Sequence, residues 1–236
     1  MSENTSATGV IGLEPGPEDL TLVIDGAKPL TPATVAAITA VCDSAEDRAG
    51  HGRVVLRVGG IPDGTWTGDL TVSLVSKWER ALRRLERLPA VTIAIADGDC
   101  GGTALDAMLA ADYRIATASV RLVVPVDNGA TWPGMALYRL AQHGANAAAI
   151  RRAVLFGTPV DADDALALHL IDELTADVAG ALATAARRAG GITGTELAIR
   201  RQLMAEAATT SFEEALGVHL AAVDRTLRRT AVGSAS

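Results

Sequence analysis

The chain has 236 residues, 49% apolar but only 3% aromatic, and its 28 acidic side chains against 21 basic ones give a formal charge of −7. That balance argues against a general nucleic-acid surface. No unbroken apolar stretch approaches the roughly 18–20 residues of a membrane span, and the two cysteines, Cys42 and Cys100, support neither a disulfide framework nor a structural zinc site.

The length suits one α/β domain, and the abundant alanine points to closely packed helices. Residues 1–16 carry Ser, Thr, Gly, Pro and Glu without a basic start or an apolar signal core. They read as a flexible tail and not as a targeting peptide, which implies a cytoplasmic protein.

Residues 20–25 form a strand-like apolar run, after which Thr31 and Pro32 supply an N-cap and a first-turn proline for a helix to about Asp47. Residues 53–58, rich in β-branched side chains, give a second strand, followed by a Gly/Pro/Asp loop over 59–68. From Asp69 the positions Leu70, Leu74, Trp78, Leu82, Leu85 and Leu88 recur every three or four residues, predicting a helix that Pro89 stops. A buried strand over 91–96, a turn over 97–102 and a helix over 103–111 follow, then short strands over 113–116 and 120–124. The stretch 125–134 reads as loop. Helices are expected over 135–142, 146–155 and 161–168, a strand over 170–174, and C-terminal helices over 177–189, 195–207 and 211–229. Early alternation of strand and helix indicates a largely parallel sheet covered by helices.

The turn 97–103 is the most informative stretch. Gly101 and Gly102, set between a buried strand and a helix, let a ligand approach the main chain. Unpaired N–H groups at the helix start can bind a phosphate or stabilise a developing oxyanion. Cys100 beside them reads either as a nucleophile, with His51, His143, His169 or His219 as base, or as a packing residue. No serine stands in this turn, which weighs against a serine nucleophile.

The stretch 88–116 resembles the enoyl-CoA hydratase/isomerase (crotonase) superfamily pattern P-x-V-x-A-x-N-G-x-A-x-G-G-G-x-E-L. The matching residues are Pro89, Val91, Ile93, Asp97-Gly98, Cys100, Gly102-Thr103-Ala104 and Asp106, with Asp112 and Ile115-Ala116 beyond them. Pro125 and Pro133-Gly134 fall on later family positions, and Trp66-Thr67-Gly68-Asp69-Leu70 looks like a shortened form of F-x-A-G-x-D-L. The resemblance covers about 53–174. It implies an α/β fold of crotonase-like (ββα) spiral type, with a core over 17–190 and a helical C-terminal trimerisation or lid region over 191–236.

The resemblance also implies that the Thr67 and Thr103 amides form the oxyanion hole for a thioester enolate, and that Asp106 replaces the family's first catalytic glutamate. The second glutamate position holds Val126, which cannot move a proton, so Asp127 becomes the nearest substitute, with an exposed loop acid as its plain alternative. Lys28, Gly68 and Gly102 are the expected contacts to coenzyme A, which enters as part of the substrate with no tightly bound cofactor and no metal. Arg80, Arg83, Arg84 and Arg87 read either as further phosphate contacts or as solvated helix charges, and Trp132 either as a pocket wall or as a packing residue. The motifs 76–80, 98–104 and 129–135 are similar to one subgroup, the hydratase-like accessory enzymes of 3,5-dihydroxyphenylacetyl-CoA and dihydroxyphenylglycine biosynthesis. That likeness implies a hydro-lyase acting on a polyketide-derived acyl-CoA thioester for glycopeptide antibiotics. It also implies a type III polyketide synthase and a related hydratase as partners, a homotrimer or hexamer, and neither nucleic-acid nor membrane binding. The alternative is a non-catalytic scaffold for the synthase.

Overall fold

The computed structural model describes residues 19–49, 51–64, 66–189, 194–207 and 209–233. The expected tail over 1–16 and the expected core boundary at 190–191 lie outside the described residues. In chain order the elements are β1 (Asp19–Asp25), α1 (Pro32–Asp47), β2 (Arg53–Gly60), α2 (Val72–Leu85), β3 (Val91–Gly101), α3 (Gly102–Leu109), β4 (Tyr113–Ala116), β5 (Arg121–Val123), β6 (Val126–Asp127), β7 (Ala130–Thr131), α4 (Met135–His143), α5 (Ala147–Phe156), β8 (Val160–Asp161), α6 (Ala162–Ala167), β9 (Glu173–Leu174), α7 (Val178–Ala189), α8 (Thr195–Glu206) and α9 (Phe212–Gly233). No described helix is long and apolar enough to cross a membrane.

Strands β1, β2, β3, β4 and β9 lie side by side in parallel, and β5 and β8 continue the sheet from β3. Alternation along the strands divides the core. Leu56 and Val58 join the large cluster with Ile38, Trp78, Leu82 and Met108, whereas Val55, Ile93, Ile95 and Ile115 face Val178, Ala181 and Ala185 of α7. Helix starts follow local chemistry: Thr31, Thr71, Asn146 and Asp161 each accept a main-chain N–H as N-caps.

The largest departure from expectation is β3. Its sequence predicts a strand ending at Ala96 and a turn, but the strand runs to Gly101 by changing partners. Ile93 to Ala96 pair with β4, then Asp99 to Gly101 pair with β5. The bend is pinned by Asp97, whose Oδ1 accepts from Thr117 Oγ1 at 2.5 Å and Ser119 Oγ at 2.6 Å, and by Gly98 at φ +67°. The second difference is the hairpin β6–β7 in the stretch read as loop. Asn128 and Gly129 both have positive φ, the geometry that closes a two-residue hairpin.

Main chains meet closely where β3 enters α3. A Cβ on Gly26 would lie 2.4 Å from the carbonyl oxygens of both Gly60 and Gly101, and 2.9 Å from the Ala104 methyl. Backbone atoms cannot step aside as a flexible side chain can. Gly26→Ala should therefore destabilise the fold by about 1–3 kcal/mol, measured as a lower denaturation midpoint in urea with an unchanged slope.

Candidate functional site

Helix α3 begins at the end of a buried strand with Gly101 as N-cap and no side chain capping it. Gly102 takes φ +52°, and a Cβ there would meet the Pro62 ring at 3.2 Å. The 61–71 loop is thereby held against the helix start. The N–H groups of the first turn, Thr103 among them, have no partner within the helix and carry its positive dipole end.

Three residues along, one helical turn from Thr103, stands Asp106. It is buried, at 8% exposure, and its Oδ2 accepts from Trp78 Nε1 of α2 at 3.1 Å. Thr103 and Asp106 line one cavity with Gly102, Trp78, Glu79, Trp66 and Trp132. The two indoles meet edge to face with ring centroids 5.0 Å apart. The cavity volume is about 30 Å³, room for one water.

Burial is the main cause that pushes the Asp106 carboxyl up to about 7, and the neighbouring Glu79 adds to it; the Trp78 indole, Arg139 and the Ala136 amide oppose. Burial likewise raises Glu79, chiefly against Arg139. Arg139, almost wholly buried, donates from Nη1 to Glu79 Oε2 at 3.0 Å and from Nε to Glu86 Oε1 at 2.8 Å.

The other expected site residues divide into two groups. Thr67 and Asp127 meet: Thr67 Oγ1 donates to Asp127 Oδ2 at 3.0 Å. Val126, its neighbour on β6, points the other way, exposed and against Gly157. Neither Thr67 nor Asp127 is part of the cavity wall, although Trp66 beside Thr67 is. Gly68 is exposed in the same loop, and Lys28 extends into solvent with Asp25 Oδ2 at 3.5 Å. Gly102 lies in the wall. Cys100 is fully buried with Met108 Sδ 3.9 Å from its Sγ, and burial pushes its thiol far up, so it packs and does not attack. Among the arginines, Arg84 binds Glu46 and Asp43, and Arg83 binds Glu86.

Glu79 and Arg139 are site residues to which the sequence reading gives no role. Glu79 lies within the 76–80 motif and follows Trp78 on the apolar stripe of α2, and nothing in that pattern marks it as facing the site.

The Asp106 carboxyl holds its proton to about pH 7, whereas its ordinary value is 3.8. Between the two the native state binds more protons than the unfolded chain. Its contribution to stability is therefore complete below about pH 4 and is lost as the pH rises through about 7. Asp106→Asn cannot ionise and should remove this slope. Urea denaturation of both proteins at about pH 4.5 and about pH 7.5 should show the stability of wild type relative to the variant falling with pH. Glu79 contributes in the same direction and His143, pushed down to about 4 by burial, in the opposite one, but both remain in the variant.

No family model matches the chain. A protein of Amycolatopsis orientalis described as enoyl-CoA-hydratase is 56% identical over 213 residues, covering 90% of this chain and 98% of its own. Among solved structures, an enoyl-CoA hydratase of Mycobacterium smegmatis superposes with a TM-score of 0.78 at 17% identity, over 91% of this chain and 89% of that one. An enoyl-CoA hydratase/isomerase of Marinobacter aquaeolei does so with a TM-score of 0.77 at 16% identity, over 91% and 90%. These two share the fold alone, while the Amycolatopsis protein shares the sequence across nearly its full length. The chain belongs to the enoyl-CoA hydratase/isomerase (crotonase) superfamily.

Proposed function

We propose that the chain is a hydro-lyase acting on an acyl-CoA thioester, with the main-chain amide of Thr103 in the cavity wall and that of Thr67, beside Trp66 of the wall, holding the thioester oxygen and Asp106 moving a proton. The observation that carries this is a buried carboxyl, that of Asp106, one turn from an uncapped helix start and in the same cavity wall. In the elimination, the bond from the α-carbon to hydrogen breaks and the thioester becomes an enolate. Two amide donors lower the cost of that charge, each by about 3 kcal/mol in comparable sites. The β-hydroxyl then leaves, and the Asp106 proton completes it as water.

The substrate we assign is a polyketide-derived CoA thioester, dehydrated and aromatised toward 3,5-dihydroxyphenylacetyl-CoA. It would be supplied by a type III polyketide synthase, with a related hydratase alongside. The motif likeness around Trp78, Gly102 and Trp132 supports this, as do the two indoles lining the cavity, which suit a flat product. Coenzyme A comes with the substrate, and Lys28, Gly68 and Gly102 are its proposed contacts. Asp127 is proposed to fix Thr67 through their hydrogen bond. A homotrimer or hexamer built through α9 fits the exposure of Phe212, Leu216, Leu220 and Leu227 on that helix.

Asp106→Asn should lower turnover by about 10²- to 10⁴-fold without unfolding the protein, read as product formed with the synthase and malonyl-CoA. Full activity in the folded variant removes Asp106 from the mechanism. A catalytic protein processes a separately prepared acyl-CoA intermediate over many turnovers; action only in stoichiometric amounts, and only with the synthase present, identifies a scaffold instead. Thr67→Val keeps the amide and loses only the hydrogen bond to Asp127, so its rate should fall by no more than roughly tenfold, as expected for one neutral hydrogen bond. A loss as large as that of Asp106→Asn would assign the chemistry to the Thr67 hydroxyl or Asp127.

A further inference from the structure

Elimination of water needs a group that takes the α-proton as well as one that gives a proton to the departing hydroxyl. Val126, at the position where the family carries a second glutamate, is turned to the surface against Gly157, and Asp127 is bound to Thr67 outside the cavity wall. We propose that Glu79 of α2 is the missing acceptor: its carboxylate takes the α-proton while the Asp106 carboxyl, in the same cavity, protonates the leaving hydroxyl. The assignment rests on the hydro-lyase reading and adds a second residue to it.

Three observations place Glu79 in that role. It lines the cavity together with Thr103 and Asp106, and its neighbour Trp78 is the residue that holds Asp106 Oδ2. The start of α4, capped by no side chain, acts on both acids, with the Met135 amide favouring ionised Glu79 and the Ala136 amide favouring ionised Asp106. The two carboxyl groups therefore meet at adjacent amides of one helix end. Lastly, Arg139 donates to Glu79 directly, at 3.0 Å, and its guanidinium favours the ionised form of that member of the pair against the effect of burial.

The proton count closes without an outside reagent. Glu79 gains the α-hydrogen as a proton, Asp106 loses its own to the hydroxyl, and one water leaves. Transfer from Glu79 back to Asp106 restores both groups. Glu79 also lines a second, larger cleft of about 650 Å³, walled by Arg83, Glu86, Tyr138, Arg139 and His143 among others. A proton held on Glu79 thus meets bulk water through that cleft, and it can be exchanged before it returns. The charged groups facing Glu79 are Asp106 from α3, Arg139 from α4 and Glu86 from its own helix.

Exchange separates the two roles, because it needs the base and the oxyanion donors but not the acid. 3-Hydroxybutyryl-CoA is incubated with each protein in deuterium oxide, and NMR follows both α-deuterium incorporation and loss of water. Glu79→Gln keeps an acceptor for Arg139, and its folding is checked by circular dichroism. Exchange in this variant should fall by about 10²- to 10⁴-fold, and the rise of the wild-type exchange rate with pH should disappear. Glu79→Asp should recover part of the rate, which a purely structural role would not predict. In Asp106→Asn, elimination should fall at least tenfold further than exchange. Wild-type exchange in folded Glu79→Gln overturns the assignment while leaving the hydro-lyase reading intact, as does a loss of both reactions confined to Asp106→Asn. A wild-type protein that neither exchanges nor dehydrates the thioester removes both.

Discussion

The site depends on one steric constraint, the close approach of main chains where β3 becomes α3. Gly26, Gly60, Gly101 and Gly102 stand where any Cβ would collide with a carbonyl oxygen, a ring or a neighbouring backbone atom. Because nothing projects between them, the β1–α1 loop, the end of β2 and the loop from Ile61 pack directly on the helix start. That packing puts Trp66 in one cavity wall with Thr103, and the first-turn amides have no capping side chain. The anchor of Asp97 on Thr117 and Ser119 serves the same end, since it turns β3 from β4 toward β5 and so aims Gly101.

Charge balance then sets the chemistry. Around Arg139 stand Glu79, Glu86 and, beyond Glu79, Asp106, and Arg83 also pairs with Glu86, so two guanidinium groups serve three carboxyl groups in a partly buried place. The third negative charge would have no cation of its own, and a buried charge without a partner costs more than neutralising one group. Asp106 makes no hydrogen bond to Arg139 and is the more deeply buried, so it keeps the proton, and Glu79 with a direct bond to the guanidinium keeps the charge. Two acids of ordinary strength become a donor and an acceptor through position alone.

Much of this was legible in the chain. The cap at Thr31, the apolar stripe from Leu70 to Leu88 and the breaks at Gly and Pro located the layers, because those signals are local. The strand β3 was read short since its last residues owe their extended form to β5, a partner 22 residues away that no local pattern reveals. Asn128-Gly129 did carry a hairpin signal, but strands of two residues are too short to show alternation. The family spacing located Thr103 and Asp106. Glu79 stayed hidden for a physical reason: its role arises from Arg139, sixty positions along the chain, and from an amide of a helix that packs only in the folded state.

The hairpin also explains how the chain accommodates Val126. Side chains on a strand alternate, so Val126 and Asp127 occupy opposite faces, and the turn at Asn128-Gly129 fixes which is which. With this register the apolar residue sits on Gly157 and the acid reaches Thr67. A glutamate at position 126 would be carried to that same outer face and would not enter the cavity. The acid pair has instead been assembled on α2 and α3, whose relative position is set by Trp78, 1% exposed and bonded to Asp106. Helices held by a buried indole keep two carboxyl groups in register more firmly than a two-residue strand at the surface, so the loss of an acid from the hairpin does not by itself remove proton transfer from the site.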